Sequence, residues 1–259
     1  MRLSRSIVVV TGLTVLAAGG LAALGKVSGP REQPLFVMPD PPGISVPAER
    51  VTTGPLLDRS GAWLTLGDAA SRVRVRFARL PGLLYRVSTA PDAGVAAVVS
   101  RRGGRVTVRL RATDGAGLDE VRIVLNRAVR WDIRLPAGAG EQQINLKDGR
   151  VRRISLGSAG LSRVWLPEPD GTVPVVFTGG VGTAVLSARN GAPFRIRFDA
   201  GAGSVETPWT ANNGTAAGTV LREPAFPDSR DRYRVRAQGG VGALVIHRGK
   251  GRIRPGGRE

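Results

Sequence analysis

Six arginines have the spacing best suited to chemistry in this sequence, and the chemistry they suggest is anion binding. Each lies beside the apolar residue that opens a recurring string, either just before it or just after it. A guanidinium group donates paired hydrogen bonds to phosphate or carboxylate, so stacked copies of the string would form a basic face for a phosphate or carboxylate polymer of the cell envelope, such as a teichoic-acid-like chain. A solvated strand face is the alternative, and Pro174 and Val176 interrupt the row. The six candidates are Arg134, Arg153, Arg195, Arg197, Arg234 and Arg236.

Carboxylate chemistry is the main enzymatic alternative, because polysaccharide-cleaving enzymes need only a pair of acids. Two of the available acids precede glycine in turn signals, and two others alternate with arginine along strands, where they would neutralise their neighbours. We therefore expect a protein that is not an enzyme. The acids considered are Asp132, Asp148, Glu168, Asp170 and Asp199.

Other catalytic and cofactor chemistry has little support. The chain has no cysteine and one histidine, His247, which excludes thiol nucleophiles, cysteine-rich zinc sites and multi-histidine metal sites. A Ser-His-Asp triad would depend on His247, which closes the last predicted strand and is expected to be an ordinary surface residue. Gly180-Val181-Gly182 imitates the start of a dinucleotide-binding fingerprint, but similar glycines recur without a following helix. No cofactor is expected.

The recurring string predicts the architecture. It consists of alternating apolar residues followed by small residues and glycine, and its copies start at positions 133, 154, 175, 196 and 235. The first four starts are 21 residues apart, and the 39-residue last interval holds an insertion within 204–232. A unit this short cannot bury its own apolar face, which favours a right-handed β-solenoid of about 21 residues per coil over residues 130–245. Repeated Asx-Gly pairs leave a β-sandwich of hairpins as the alternative.

Residues 50–129 lack this period but still show the alternation of strands, so we expect one all-β domain over residues 50–247 with an irregular first half. Six strands are predicted there. They are Trp63–Leu66, Arg72–Phe77, Leu83–Val87, Val95–Val99, Arg105–Arg111 and Val121–Leu125.

The N-terminal segment predicts export. Residues 1–6 are basic, and residues 7–25 are uncharged over roughly 28 Å of helix, enough to cross a bilayer once as a transmembrane helix with the C-terminal domain outside. A cleaved signal peptide, giving a secreted protein, is the alternative. Residues 26–49 form a Pro-rich linker, and residues 248–259 a basic disordered tail. The formal charge is +18, but export would separate this charge from nucleic acid, which is not an expected partner.

The alternating strands, the VRWDIRLPAG phrase at residues 129–138 and the punctuated coils of about 20 residues together resemble a bacterial domain-of-unknown-function family labelled "putative adhesin". The resemblance covers residues 60–245 and implies a β-solenoid-like domain that is often membrane-anchored. It carries over no active-site residues.

These observations predict a non-enzymatic, membrane-tethered extracytoplasmic module with an interaction or structural role at the cell envelope. The expected partners are the membrane and either an anionic wall polymer or an envelope protein, while the oligomeric state stays open. A sensory ectodomain for envelope stress and a polysaccharide-active enzyme are the alternative functions.

Overall fold

The computed structural model describes residues 49–249, and within this range the chain forms strands and no helix. Alternation of apolar and polar residues sets these strands, because successive side chains point to opposite faces of a sheet. In chain order the nineteen strands are β1 (Arg50–Pro55), β2 (Gly61–Leu66), β3 (Ala70–Ala78), β4 (Leu83–Thr89), β5 (Val95–Arg102), β6 (Arg105–Ala112), β7 (Glu120–Asn126), β8 (Arg130–Leu135), β9 (Ala139–Asn145), β10 (Arg150–Leu156), β11 (Ala159–Leu166), β12 (Thr172–Phe177), β13 (Val181–Ala188), β14 (Phe194–Phe198), β15 (Ala202–Thr207), β16 (Thr210–Thr215), β17 (Val220–Arg222), β18 (Arg232–Ala237) and β19 (Val241–Arg248).

The strands form two mixed sheets. The ten-stranded sheet has the order β1-β4-β7-β3-β9-β11-β13-β19-β15-β16, and the nine-stranded sheet has the order β17-β14-β18-β12-β10-β8-β2-β6-β5. Each copy of the recurring string begins in the nine-stranded sheet and continues into the ten-stranded sheet, as β8 and β9 do. The prediction of an all-β domain is therefore confirmed.

The apolar residues that open the five copies lie in one buried row. Neighbouring strands bring them into register through parallel pairing, so that Ile133 faces Ile154 and Ile154 faces Val175. Val235 is in register with Val175 on one side and with Ile196 on the other, so Ile196 is at the end of the row. All five are 0–1% exposed and belong to the single core between the sheets. Neighbouring copies of the string are therefore joined by parallel pairing and not as sequential antiparallel hairpins.

The order of the copies in space differs from their order in the sequence. We expected the copy starting at 196 to lie beside the copy starting at 175, but β18, from the copy starting at 235, pairs with both β12 and β14. The long interval explains this arrangement, because it carries the chain to the sheet edges before returning it. On the way, β16 pairs antiparallel with β15, and β17 pairs antiparallel with β14. The insertion thus supplies one edge strand of each sheet, β16 in the ten-stranded sheet and β17 in the nine-stranded sheet.

In each copy of the string, the last glycine lies at the start of the strand that follows in the ten-stranded sheet, where neighbouring backbones come very close. A Cβ on Gly182 would lie 2.6 Å from the carbonyl oxygen of Gly160, and one on Gly203 would lie 2.6 Å from that of Gly242. Only glycine fits such an approach. Gly180-Val181-Gly182 is therefore part of this close packing between strands. The positive φ expected of Asx-Gly turns occurs at Gly171 and Gly214 but not at Gly149 or Gly191.

The irregular first half joins the same two sheets. All six strands predicted there are present as β2 to β7, and β1 is an additional strand at the edge of the ten-stranded sheet. β2 lies between β6 and β8, with parallel pairing on both sides. β3 also pairs in parallel with both of its neighbours, whereas β1, β4 and β7, and likewise β5 and β6, are joined by antiparallel pairing. The first half therefore combines the parallel geometry of the repeats with antiparallel pairing at one edge of each sheet.

Several predictions concern residues outside the described range, namely the basic N-terminus, the segment at 7–25 and most of the linker and tail. Among the residues that the structure does describe, no helix is long and apolar enough to cross a membrane. Arg248, which the sequence assigned to the basic tail, belongs to β19 and binds Glu223 at 2.5 Å.

Candidate functional site

The outer face of the nine-stranded sheet gathers the arginines that the sequence predicted as an anion-binding surface. On β14 and β18, Arg195 is in register with Arg234 and Arg197 with Arg236. Their side chains alternate with the buried Ile196 and Val235, which directs them away from the core. Four of the six predicted arginines are therefore immediate neighbours.

A fifth arginine, which sequence analysis did not select, extends this group. β17 pairs antiparallel with β14 and brings Arg222 into register with Arg195. Arg222, Arg195 and Arg234 thus occupy one row on three adjacent strands. We call Arg195, Arg197, Arg222, Arg234 and Arg236 the arginine cluster.

One carboxylate partly neutralises the cluster. Asp199 accepts hydrogen bonds from Arg197 Nε at 2.8 Å and from Arg236 Nε at 2.6 Å. The bonds from Arg236 and then from Arg197 hold the pKa of the Asp199 carboxyl below its usual value. Among residues 49–249, Arg195, Arg222 and Arg234 have no carboxylate within ion-pair distance. The cluster therefore keeps an excess positive charge beside a depression of about 230 Å³.

Arg134 and Arg153 lie on the same face but apart from the cluster. β12 separates them from β18 and presents Pro174 and Val176 at the matching positions, as the sequence suggested. Arg153 is exposed, whereas Arg134 donates to Asp132 at 3.0 Å. The structure thus divides the predicted row of six into four adjacent arginines and two outlying ones.

Farther along this face, Trp63 on β2 is 36% exposed, which is more than any other aromatic side chain in the described chain. Arg105 and Arg152 place their guanidinium carbons 5.9 Å from its ring centre. The ring packs against Gly104, where a Cβ would lie 3.4 Å from it. The ring also lines a depression of about 150 Å³, together with Thr65, Arg105, Thr107 and Arg134.

The candidate catalytic acids occupy different surroundings. Asp132 and Asp199 each form an ion pair with an arginine, Arg134 and Arg197 respectively. Glu168 lines two neighbouring cavities at the turns, one of about 410 Å³ shared with Asp148 and one of about 340 Å³ shared with Asp231. Asp170 forms a 3.4 Å ion pair with Arg130.

His247 lies on the other sheet. It is exposed on β19, in register with Ser187 of β13. In the part of the chain that the structure describes, no group of three or more histidine, aspartate or glutamate side chains is arranged to hold a metal ion.

The outer face of the ten-stranded sheet also carries arginines, but most of them are ion-paired. Glu120 is 6% exposed and lies within 3.4 Å of Arg72 and Arg74 and at 2.5 Å from Arg122. Glu141 binds Arg72 at 2.8 Å and Arg163 at 3.0 Å. Glu120 and Glu141 together pair with four arginines of this face, and such pairing is absent at Arg195, Arg222 and Arg234 among the described residues.

Comparison with known proteins identifies the fold. No protein-family model matches the sequence, and no curated protein matches it. A crystal structure described as "a putative cell adhesion protein from Clostridium sporogenes" superposes with a TM-score of 0.57 at 16% identity, covering 77% of this chain and 98% of that chain. The two chains share a fold. "A putative adhesin" from Bacteroides fragilis aligns over 78% of this chain and 99% of the other, with 7% identity and a TM-score of 0.25.

Sequence reasoning missed two parts of this face. Arg222 lies in the insertion, whose pairing with β14 has no signal in the repeat spacing. Trp63 lies outside the repeats, but the alternation in Trp63–Leu66 carried a usable signal, because Leu64 and Leu66 are buried and their neighbours must point outward.

Proposed function

We propose that this protein is a non-enzymatic, adhesin-like binding module that uses the arginine cluster to hold an anionic polymer of the cell envelope. The observation that carries the proposal is the row of Arg222, Arg195 and Arg234 on adjacent strands. Like charges directly opposite one another destabilise a sheet, and this row has no carboxylate partner among residues 49–249. A bound polyanion would supply the missing negative charge.

Two further observations support this role. The depression at the cluster, about 230 Å³, is smaller than the cavities of about 300–1,000 Å³ that usually enclose a small molecule, which favours an extended polymer bound along the nine-stranded sheet. The fold is also shared with a chain described as a "putative cell adhesion protein". In this proposal the apolar segment at 7–25 tethers the domain to the membrane, and the repeats act as the coils of a solenoid whose order is changed by the insertion.

The proposed binding can be tested with the full-length protein and purified cell-wall material over a salt series. Replacing Arg195 and Arg234 with serine should lower retention at least about tenfold at low salt, and rising salt should weaken retention of the wild type. Matched controls are Arg76 and Arg86, which are exposed on the outer face of the ten-stranded sheet and have no carboxylate partner in the described chain.

The control variant R76S/R86S changes the net charge by the same amount and should retain wild-type binding. Equal losses in the two double variants would show that net charge alone drives retention, and would overturn the assignment to the cluster. Wild-type protein that is not retained at any salt concentration would overturn the proposed function itself.

A further inference from the structure

The surface around Trp63 differs chemically from the arginine cluster, although both lie on the outer face of the nine-stranded sheet. Trp63 offers an exposed aromatic ring, which a purely electrostatic site does not need. It is the most exposed aromatic side chain of the described residues, and two guanidinium groups flank its ring. The feature to explain is therefore a flat ring placed among cations.

The charges beside Trp63 leave a local positive excess. Arg134 and Asp132 neutralise each other through hydrogen bonds of 3.0 and 3.4 Å. Arg105 and Arg152 have no carboxylate within ion-pair distance in the described chain and approach Trp63 from strands on opposite sides of β2. Both are exposed, so they can reach an anion lying over the ring.

The shape of the site suits one ring of a carbohydrate. The aromatic face is electron-rich and attracts the weakly positive C–H groups of a pyranose ring laid against it. Thr65 and Thr107 line the same depression of about 150 Å³ and present hydroxyl groups that can exchange hydrogen bonds with sugar hydroxyls. The guanidinium groups of Arg105 and Arg152 can pair with a carboxylate on that sugar.

We propose that Trp63, Arg105 and Arg152 form a subsite for an acidic sugar, and that the polymer bound by this face is a uronate-containing polysaccharide. The inference rests on the proposed function, because it names the chemical class of the polyanion. β2 is five strands from β14, or roughly 24 Å at the usual strand spacing. One linear polysaccharide lying across the strands would therefore contact both the subsite and the arginine cluster.

The test compares two polyanions that differ in having sugar rings. Binding of oligogalacturonate and of inorganic polyphosphate to the full-length protein is measured by calorimetry at one fixed salt concentration. The variants are W63A, W63F and R195S/R234S, and the melting temperature of each confirms that it folds. The fluorescence of Trp63, taken as the difference between wild type and W63F, reports directly on contact with the ring.

We expect W63A to weaken oligogalacturonate binding about tenfold and to leave polyphosphate binding within about twofold of wild type. W63F, which keeps an aromatic ring, should recover most of the affinity. R195S/R234S should weaken the binding of both polymers.

Three results would overturn the inference. Unchanged oligogalacturonate affinity in W63A, with losses in R195S/R234S, would remove the sugar subsite and leave the proposed function intact. Equal losses of both polymers in W63A would assign Trp63 a structural role. If the wild type binds neither polymer, the inference is overturned together with the proposed function.

Discussion

The two outer faces of this molecule use the same residue type in opposite ways. On the ten-stranded sheet, Glu120 and Glu141 each bind two or more arginines, and Glu120 is almost fully buried among their side chains. On the nine-stranded sheet, the half-buried Asp199 pairs with two of the five arginines in the cluster, Arg197 and Arg236.

This contrast shows that the abundance of arginine does not define a binding surface. A buried carboxylate that is surrounded by arginines stabilises its own face, because its hydrogen bonds replace those it lost to water. Arginines without such a carboxylate repel one another and remain available to an external anion. The position of a few acids therefore separates the structural face from the proposed binding face.

The largest expected effect is on the structural face. Replacing Glu120 with glutamine removes the charge that holds Arg72, Arg74 and Arg122, and should lower the free energy of unfolding by about 2 kcal/mol. Chemical denaturation would measure this. Glu206 is an exposed glutamate of the same sheet with no ion pair in the described range, and E206Q should change stability by less than about 0.5 kcal/mol. Similar losses in both variants would contradict the contrast between the faces.

Acid should remove the same stabilisation. Burial acts to raise the pKa of Glu120, but hydrogen bonds and charge from Arg122, with Arg74 and Arg72, outweigh it and lower that pKa. A group with a lowered folded-state pKa contributes stability above its unfolded value, about 4.3 for glutamate, and loses it as the pH falls through the folded value. The stabilities of wild type and E120Q should therefore converge below about pH 4.3. A constant difference between pH 7 and pH 3 would contradict this prediction.

A smaller effect is expected from Asp199, the carboxylate that pairs with two arginines of the cluster. D199N should raise the affinity for a polyanion about threefold, because it removes a negative charge beside Arg197 and Arg236. Its melting temperature should stay close to that of the wild type, since ion pairs at the surface contribute little to stability. Titration with polyphosphate and a thermal melt would measure both. A weaker affinity would mean that Asp199 positions the arginines for the ligand.

The smallest effect should come from adding an arginine on β12, between the cluster and the two predicted arginines that lie apart from it, Arg134 and Arg153. Val176 lies between Arg236 and Ser155 in register, and V176R should strengthen polyanion binding about twofold. The matched control is V185R, in register with Arg163 on the opposite face. If both variants gain equally, the gain comes from net charge rather than from a continuous basic row.

Much of the fold was predictable because alternation and spacing are local signals. The six strands of the first half and the opening residues of the five repeats were correctly identified, since each pattern has an unambiguous buried side. The order of the copies was not predictable. The strings beginning at 175, 196 and 235 present the same apolar residues and glycines to a neighbour, so any of them could pair with any other.

The positions of the arginines were predictable in part. Alternation placed the arginines on one outer face, and the interruption at Pro174 and Val176 was visible in the sequence. The contact of Asp199 with Arg236 was not, because it joins residues 37 positions apart through a strand order that the spacing does not specify. Trp63 was identified only as part of a strand, since no repeat placed a second aromatic residue beside it.

The late arrival of β18 and β19 between earlier strands makes this domain dependent on its final segment during synthesis. A nascent chain ending at residue 230 contains β12, β13, β14 and β15 but lacks the two strands that lie between them in the sheets. These earlier strands then have exposed edges, which can pair with other chains. β18 and β19 must therefore be synthesised before β12 and β14, or β13 and β15, can be joined in their sheets. Truncation after residue 230 would remove an internal strand from each sheet and expose two new strand edges there, whereas loss of a terminal edge strand would expose only one.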